Sequence, residues 1–177
     1  MKRLLFLLPV AALGSASALA CEAPRAISDQ VQVAWISPVR QTVGAKTMIS
    51  VVRTSDFRAL VGTKDRDPTA ILRAIGMLGP KQKLAKDYKI TLFDVKAEWL
   101  CRPIPGPEGE VVGGLRRCEE KHQDRDASTH PKAWTDCGYL VDVLSGKRTL
   151  DLYRLEWSAA ATWGFCVMPL QRFLEGA

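Results

Sequence analysis

Apolar and polar residues alternate along several stretches of the chain, and this alternation predicts β-strands. Gln30 to Ile36 carries apolar residues at every second position, and Thr47 to Arg53 is rich in β-branched residues. Tyr88 to Cys101 is the longest candidate strand, because its apolar positions alternate with Asp94, Lys96 and Glu98. Residues 102–114 are rich in proline and glycine and predict a loop.

A hairpin is predicted near the C-terminal end. Its strands run from Cys137 to Leu144 and from Lys147 to Trp157, joined by a two-residue turn at Ser145-Gly146. With that turn, Tyr139 lies opposite Leu152 and the apolar residues share one side of the hairpin.

Two helical regions are predicted, one between the strand candidates and one after the last of them. Asp67-Pro68 is a helix start, since aspartate caps free amide groups and proline fits the first turn. Gly79-Pro80 ends this helix of about three turns. Residues 158–175 predict a second helical region, which Gly164 and Pro169 interrupt. Together, these strands and helices predict an α+β fold, with an antiparallel sheet of about five strands and helices packed on one face.

The first twenty residues have the features of a cleavable secretory signal. Lys2 and Arg3 supply positive charge, an apolar run extends from Leu4 to Leu13, and the segment ends in Ala18-Leu19-Ala20. The apolar run is shorter than the roughly 20 residues that span a bilayer. We therefore expect residues 1–20 to be a signal peptide and residues 30–177 to form a single globular domain in an exported, bacterial-type protein.

Cys21 directly follows the expected cleavage site. The segment Ser17 to Cys21 resembles the lipobox of bacterial lipoproteins, in which this cysteine becomes the acylated first residue. Ala20 matches the small residue of that family, whereas Ala18 stands where the family usually has leucine. The resemblance implies a lipid anchor at Cys21 followed by a tether over residues 21–29, and Glu22 resembles the outer-membrane-directed members. An ordinary signal-peptidase cut at the same bond would leave Cys21 unacylated, free or in a disulfide.

The other four cysteines form an even set, as expected of structural disulfides in an oxidising compartment. Four cysteines allow three pairings. We expect Cys101 to pair with Cys118, closing the proline-glycine loop. We expect Cys137 to pair with Cys166, joining the hairpin to the last helix.

Charge argues against a nucleic-acid partner. The formal net charge of the whole chain is +6, and loss of Lys2 and Arg3 with the signal lowers it to +4. No dense stripe of lysine and arginine is present, and export also disfavours such a partner. No segment after the signal is long and apolar enough to span a bilayer, so we expect membrane attachment only through the lipid.

Candidate catalytic chemistry is confined to one polar stretch. The two histidines, His122 and His130, flank two acidic residues, Asp124 and Asp126, and could serve a small periplasmic hydrolase. Their spacing of eight fits no established metal site, and solvated loops use the same residue types. No hydrolase, phosphate-binding or dinucleotide motif is present. We therefore predict no catalytic residue, no metal and no cofactor, and keep the hydrolase as the alternative.

Trp134 is the best sequence candidate for an interface anchor, because it lies in the same loop region beside Pro131 and Lys132. A loop tryptophan that folds back over the core is the alternative. Together these features predict an exported envelope lipoprotein that acts by binding or assembly. Such a protein is a secretion-machine subunit, an inhibitor or an immunity-type protector, and its partner is another envelope or exported protein. With the lipid, the protein is anchored in the outer membrane and faces the periplasm; without it, the protein is soluble in the periplasm or secreted.

Overall fold

The computed structural model describes residues 27–77, 87–104, 106–119, 138–141, 148–162 and 164–177. Within these ranges the chain forms nine β-strands and four α-helices. The mixed α+β class is therefore confirmed, but the sheet is larger than the five or so strands expected from the alternating segments. The additional strands are mostly two or three residues long, too short for an alternating pattern to be recognised.

The strands are β1 (Gln30–Pro38), β2 (Met48–Arg53), β3 (Tyr88–Lys96), β4 (Leu100–Arg102), β5 (Val111–Val112), β6 (Leu115–Arg117), β7 (Tyr139–Val141), β8 (Arg148–Glu156) and β9 (Phe165–Pro169). The helices are α1 (Thr54–Gly62), α2 (Pro68–Ala74), α3 (Trp157–Ala161) and α4 (Leu170–Glu175), with a 3₁₀ turn at Ala97–Trp99.

The nine strands belong to one sheet in the order β5-β6-β4-β8-β2-β1-β3-β9, with β7 pairing β8 beside this path. All the pairs are antiparallel except β4 with β6. β1 pairs along its whole length with β3, from Gln30 opposite Lys96 to Pro38 opposite Tyr88. Its ladder with β2 contains only two registered pairs. The neighbouring strands β1 and β2 therefore separate over most of their length.

Both faces of the sheet are apolar. In β1, Ala34 and Ile36 enter one core, whereas Val33 and Trp35 enter the other. Helices α1, α2 and α4 contribute to the first core, and α3 contributes Ala160 to the second. The expectation of helices on one face thus holds for three of the four described helices, because α3 lies on the opposite side.

The start of α2 is as predicted, since Asp67 accepts a hydrogen bond from the Thr69 amide at 2.9 Å and Pro68 is the first helical residue. The helix is shorter than predicted and ends at Ala74, followed by Gly76 with a φ of 74°. That left-handed conformation suits glycine and interrupts the helix before the predicted stop at Gly79-Pro80, which lies outside the described residues.

The long strand predicted from Tyr88 to Cys101 is divided in two. The 3₁₀ turn at Ala97–Trp99 ends β3, and β4 then pairs with β8. The turn reverses the alternation, so Leu100 is buried in the second core and Cys101 is only partly buried. Similarly, β5 and β6 form a hairpin over residues 111–117, which begins within the predicted loop of residues 102–114. Its turn consists of Gly113 and Gly114, both with positive φ, as a two-residue hairpin requires.

Two C-terminal predictions were wrong in detail. Tyr139 lies opposite Asp151 rather than Leu152, and the ladder of β7 with β8 contains an irregularity after Leu140. This register places Leu140 opposite Leu150, with both side chains in the first core. The second error is the helical prediction for residues 158–175, because α3 and α4 are separated by β9.

The disulfide Cys101–Cys118 is confirmed, with a Cα–Cα distance of 4.9 Å. It joins β4 to the residue that follows β6, and these two strands are neighbours in the sheet. The prediction of a second disulfide between Cys137 and Cys166 was wrong, because Cys166 is an exposed free thiol. Cys166 lies on strand β9 instead of the predicted helix, which changes the direction of its side chain.

Candidate functional site

Most site residues proposed from the sequence lie outside the described ranges: Cys21, His122, His130, Trp134 and Cys137. The lipid anchor, the polar histidine stretch and the loop tryptophan therefore stay predictions. The described residues instead present two features that the sequence did not indicate. These are an exposed edge strand and a pocket inside the sheet.

The edge strand is β9, at one end of the strand order. It pairs with β3 on one side, from Phe93 opposite Phe165 to Lys89 opposite Pro169, and no described strand pairs with its other side. Phe165 and Val167 are 47% and 48% exposed. Natural proteins usually shield sheet edges with charge or cover, because an open edge can pair with another chain. The five residues of β9 include no charged side chain.

Phe165 is exposed but held by other aromatic rings. Its ring centroid lies 5.9 Å from that of Phe93 and 5.6 Å from that of Trp157. Trp157 in turn lies 5.4 Å from Trp35 in an edge-to-face arrangement. These contacts connect the exposed ring to the second core. A fixed, partly exposed aromatic side chain is a common energetic centre of protein interfaces.

The pocket lies between β1 and β2, where the two strands separate, and its volume is about 250 Å³. The two ends of the connecting loop hydrogen bond to different neighbouring residues. At the first end, the Val39 amide donates to the Asp87 carbonyl at 2.7 Å, next to β3. At the second end, the Trp157 amide donates to the Thr47 carbonyl at 3.0 Å.

The lining of this pocket is mainly apolar, with side chains contributed by β1, β2, β7, β8 and the residues after α2. Arg154 is the one charged residue among the described lining residues, and no carboxylate is among them. Arg154 donates a hydrogen bond from Nη1 to the Ser50 hydroxyl, directly across the ladder of β2 with β8. The arrangement combines an apolar wall with a positioned positive charge.

The described residues also include a buried group of charged side chains around Asp151. Asp151 has a fully buried side chain, accepts a hydrogen bond from Arg148 Nε at 2.9 Å and lies 3.6 Å from Arg102 Nη1. The Arg102 guanidinium also lies 4.7 Å from the ring centroid of Tyr153. Burial raises the pKa of the Tyr153 phenol above its ordinary value of 10.0, and the Arg102 charge offsets part of that increase. These contacts form a buried network of charged side chains.

Within the described ranges, no group of three or more histidine, cysteine or acidic side chains is placed to hold a metal ion. No helix there has the length and apolar character needed to cross a membrane. No protein-family model matches the chain, and neither the curated proteins nor the solved structures contain a match.

Proposed function

We propose that the protein is exported to the bacterial envelope and acts by binding or assembly through the edge strand β9. Export is supported by the signal-like residues 1–20 and by the Cys101–Cys118 disulfide, since stable disulfides are typical of oxidising compartments. The lipobox-like residues before Cys21 support an outer-membrane lipoprotein. A secretion-machine subunit, an inhibitor and an immunity-type protector are all compatible with this proposal.

The observation that carries the binding proposal is the open, uncharged edge of β9 with Phe165 held in place by other aromatic rings. In strand addition, an extended segment of a partner supplies main-chain hydrogen bonds to such an edge, and alternate side chains give specificity. Phe165 and Val167 are both exposed and lie two positions apart, so they project from the same face of the strand. The partner is therefore an extended segment of another exported protein with apolar residues at alternate positions.

Site-specific photo-crosslinking in living cells tests this proposal. A photoreactive residue at Val167 should give a discrete adduct with an envelope protein. The same residue at Val111 should give none; Val111 is also exposed, at 65%, and lies on β5 at the opposite end of the strand order. Replacing Phe165 with aspartate should abolish the adduct, and the crosslinked partner residue should map to an extended segment.

An equal adduct from Val111, or the absence of any adduct from Val167, would refute binding through β9. An adduct with twice the mass of the chain would also overturn the proposal in favour of self-association. The anchor is tested separately by intact-mass analysis, which should show an acylated Cys21, and by Cys21→Ser, which should release the protein from membranes. An unmodified Cys21 in soluble mature protein would refute the lipoprotein assignment and leave export intact.

The hydrolase alternative gains no support from the described residues, because His122 and His130 lie outside them. Replacing both histidines with alanine should therefore leave the crosslinking at Val167 unchanged. If a well-folded double variant lost its cellular function while keeping the crosslink, the hydrolase would replace binding as the proposed function.

A further inference from the structure

The geometry of β1 and β2 points to a second binding site, for a small uncharged molecule built around a secondary amide, such as an amino acid blocked as an amide at both ends. This inference goes beyond the proposed function, because the pocket and the edge of β9 are formed by different residues. A preformed cavity with apolar walls and a few converging polar groups is the usual form of a small-molecule site. Here the converging polar groups belong to the main chain of the two strands.

The ladder between β1 and β2 is incomplete. It contains two pairs and ends with Ala34 opposite Val52. Continued in the same register, it would place Pro38, the last residue of β1, opposite Met48, the first residue of β2. The last four residues of β1 and the first four of β2 therefore face each other across a gap without pairing.

These eight residues are paired only on their other edges. β1 pairs with β3 over its whole length, and β2 pairs with β8 from Met48 to Val52. At alternate residues of each strand, the main-chain N–H and C=O groups point into the gap. Within the described part of the chain, no backbone hydrogen bond outside the ladders involves residues 35–37 or 48–51. Buried main-chain donors and acceptors are normally paired, so the gap presents groups that a ligand can satisfy.

The shape of the gap matches an amide with apolar substituents. A secondary amide carries one N–H donor and one carbonyl acceptor, as each residue of a strand does. The pocket is lined by consecutive residues of each strand: Ala34, Trp35 and Ile36 of β1, and Met48, Ile49 and Ser50 of β2. Consecutive side chains point to opposite faces of a sheet, so the gap reaches both faces. Ile36 belongs to the first core and Ile49 to the second, so both faces offer apolar contacts to the substituents.

The charge of the lining favours an uncharged ligand. Arg154 is the charged residue of the described lining, and it already donates to the Ser50 hydroxyl and has further partners in the chain. A neutral ligand leaves these interactions intact and brings no charge into the apolar walls, where an unpaired charge is unfavourable.

The size and closure of the gap favour a small molecule over a protein segment. At roughly 30 Å³ for each group the size of a water molecule, the volume of about 250 Å³ holds about eight such groups. Atoms that are bonded to each other lie closer together, so an alanine blocked at both ends is of suitable size. The ladder closes one end of the gap, and the loop that joins β1 to β2 closes the other. A long extended segment therefore has no path along the gap.

Titration calorimetry with N-acetylalanine N-methylamide tests the site on full-length protein processed and purified from the envelope of expressing cells. We expect this amide to bind with a dissociation constant of about 1 mM or tighter. The matched ester, methyl O-acetyllactate, has nearly the same shape but no N–H donor. The ester should bind about tenfold more weakly or worse, because the carbonyl groups that face the gap lose their hydrogen bonds.

A pair of variants tests the location. Val43→Phe adds volume at a lining position and should abolish binding of the amide. Val39→Phe makes the same replacement at an exposed position outside the lining and should leave binding unchanged. Urea unfolding of each variant shows whether the fold is retained. If Val43→Phe does not fold, hydrogen exchange of the parent protein replaces it: the amide ligand should protect alternate main-chain N–H groups of residues 35–37 and 48–51.

The inference is overturned if the amide does not bind, if the ester binds equally well, or if Val43→Phe and Val39→Phe have equal effects. Protection confined to residues outside β1 and β2 would also overturn it. Far tighter binding of a long apolar peptide would show that the occupant is a protein segment and would overturn it as well. Failure of the β9 crosslinks would leave all of these outcomes unaffected, so the two proposals are tested separately.

Discussion

Replacing Asp151 with asparagine should destabilise the protein strongly while leaving its side-chain size almost unchanged. The Asp151 carboxylate contacts two arginines, Arg102 and Arg148, whose side chains are only 2% and 10% exposed. Loss of its charge leaves two guanidinium groups with little water to compensate for it. Breaking a buried ion pair by neutralising one partner typically costs roughly 3–5 kcal/mol. That is a large share of the roughly 5–15 kcal/mol by which domains are stable.

Urea unfolding followed by circular dichroism measures this effect. With an m-value of about 1–3 kcal/mol/M, a loss of at least about 3 kcal/mol lowers the urea midpoint by about 1 M or more. Glu98→Gln is the matched control, because the Lys96–Glu98 pair has the same 3.6 Å separation as Arg102–Asp151 but side chains that are 45% and 67% exposed. An exposed pair of this kind contributes at most about 1 kcal/mol. The two variants therefore differ in the burial of the carboxylate and in its cationic partners, two arginines for Asp151 and one lysine for Glu98.

Equal midpoints for Asp151→Asn and Glu98→Gln would refute the argument that burial of the ion network determines its energetic importance. A double-mutant cycle with Arg102→Met adds a second measure. The combined variant Arg102→Met with Asp151→Asn should be more stable than the sum of the single effects implies, with a coupling energy of about 1 kcal/mol or more. Simple additivity would show that the two side chains do not interact.

Three further predictions concern stability. Replacing Cys101 and Cys118 together with serine should lower the free energy of unfolding by about 3 kcal/mol, as expected for a bridge across 17 positions, and non-reducing peptide mapping should recover the linked pair from the parent protein. Tyr153→Phe should change stability at neutral pH by less than about 1 kcal/mol, because the Tyr153 hydroxyl has no hydrogen-bond partner among the described residues. Because burial raises the pKa of the Tyr153 phenol, the folded state holds the phenol proton more tightly than the unfolded state does. The stability that this proton contributes is intact below about pH 10 and is lost as the pH rises through the folded-state pKa. Tyr153→Phe should reduce this alkaline loss of stability in urea titrations, and an unchanged pH profile would contradict the raised pKa of Tyr153. Asp67→Ala should cost about 1 kcal/mol by removing the cap of α2, whereas Asp67→Asn should retain most of the cap, and equal thermal midpoints for these two variants would contradict that role.

Predictions that rest on residues close together in the sequence were the most accurate. The predictions of strands β1 and β2, of the Asp67 cap and of the Cys101–Cys118 pair each depend on neighbouring residues or on a short loop. Predictions that depended on distant pairing were less accurate. The register of β7 on β8 is set by burial of Leu140 with Leu150 in a core whose other members come from distant elements.

The candidate sites could not be predicted for the same reason. Residues 165–169 are apolar, and a short apolar segment has no periodicity that separates an edge strand from a helix. Only the pairing with β3 shows that Phe165 and Val167 lie at an open edge. The pocket is lined by residues from distant parts of the chain, between Ala34 and Arg154, so no local sequence pattern indicates it.

The short ladder between β1 and β2 also has a consequence for the order of folding. These strands are the first two in the chain, yet β1 makes its full ladder with β3 and β2 makes its longer ladder with β8. A newly synthesised N-terminal half therefore lacks a strong local hairpin, and completing the sheet requires strands from near the C-terminus. Folds dominated by such distant contacts form slowly, because long loops must close before the contacts are gained. A chain with this topology can therefore complete the centre of its sheet only after β8, which lies close to the C-terminus, is available.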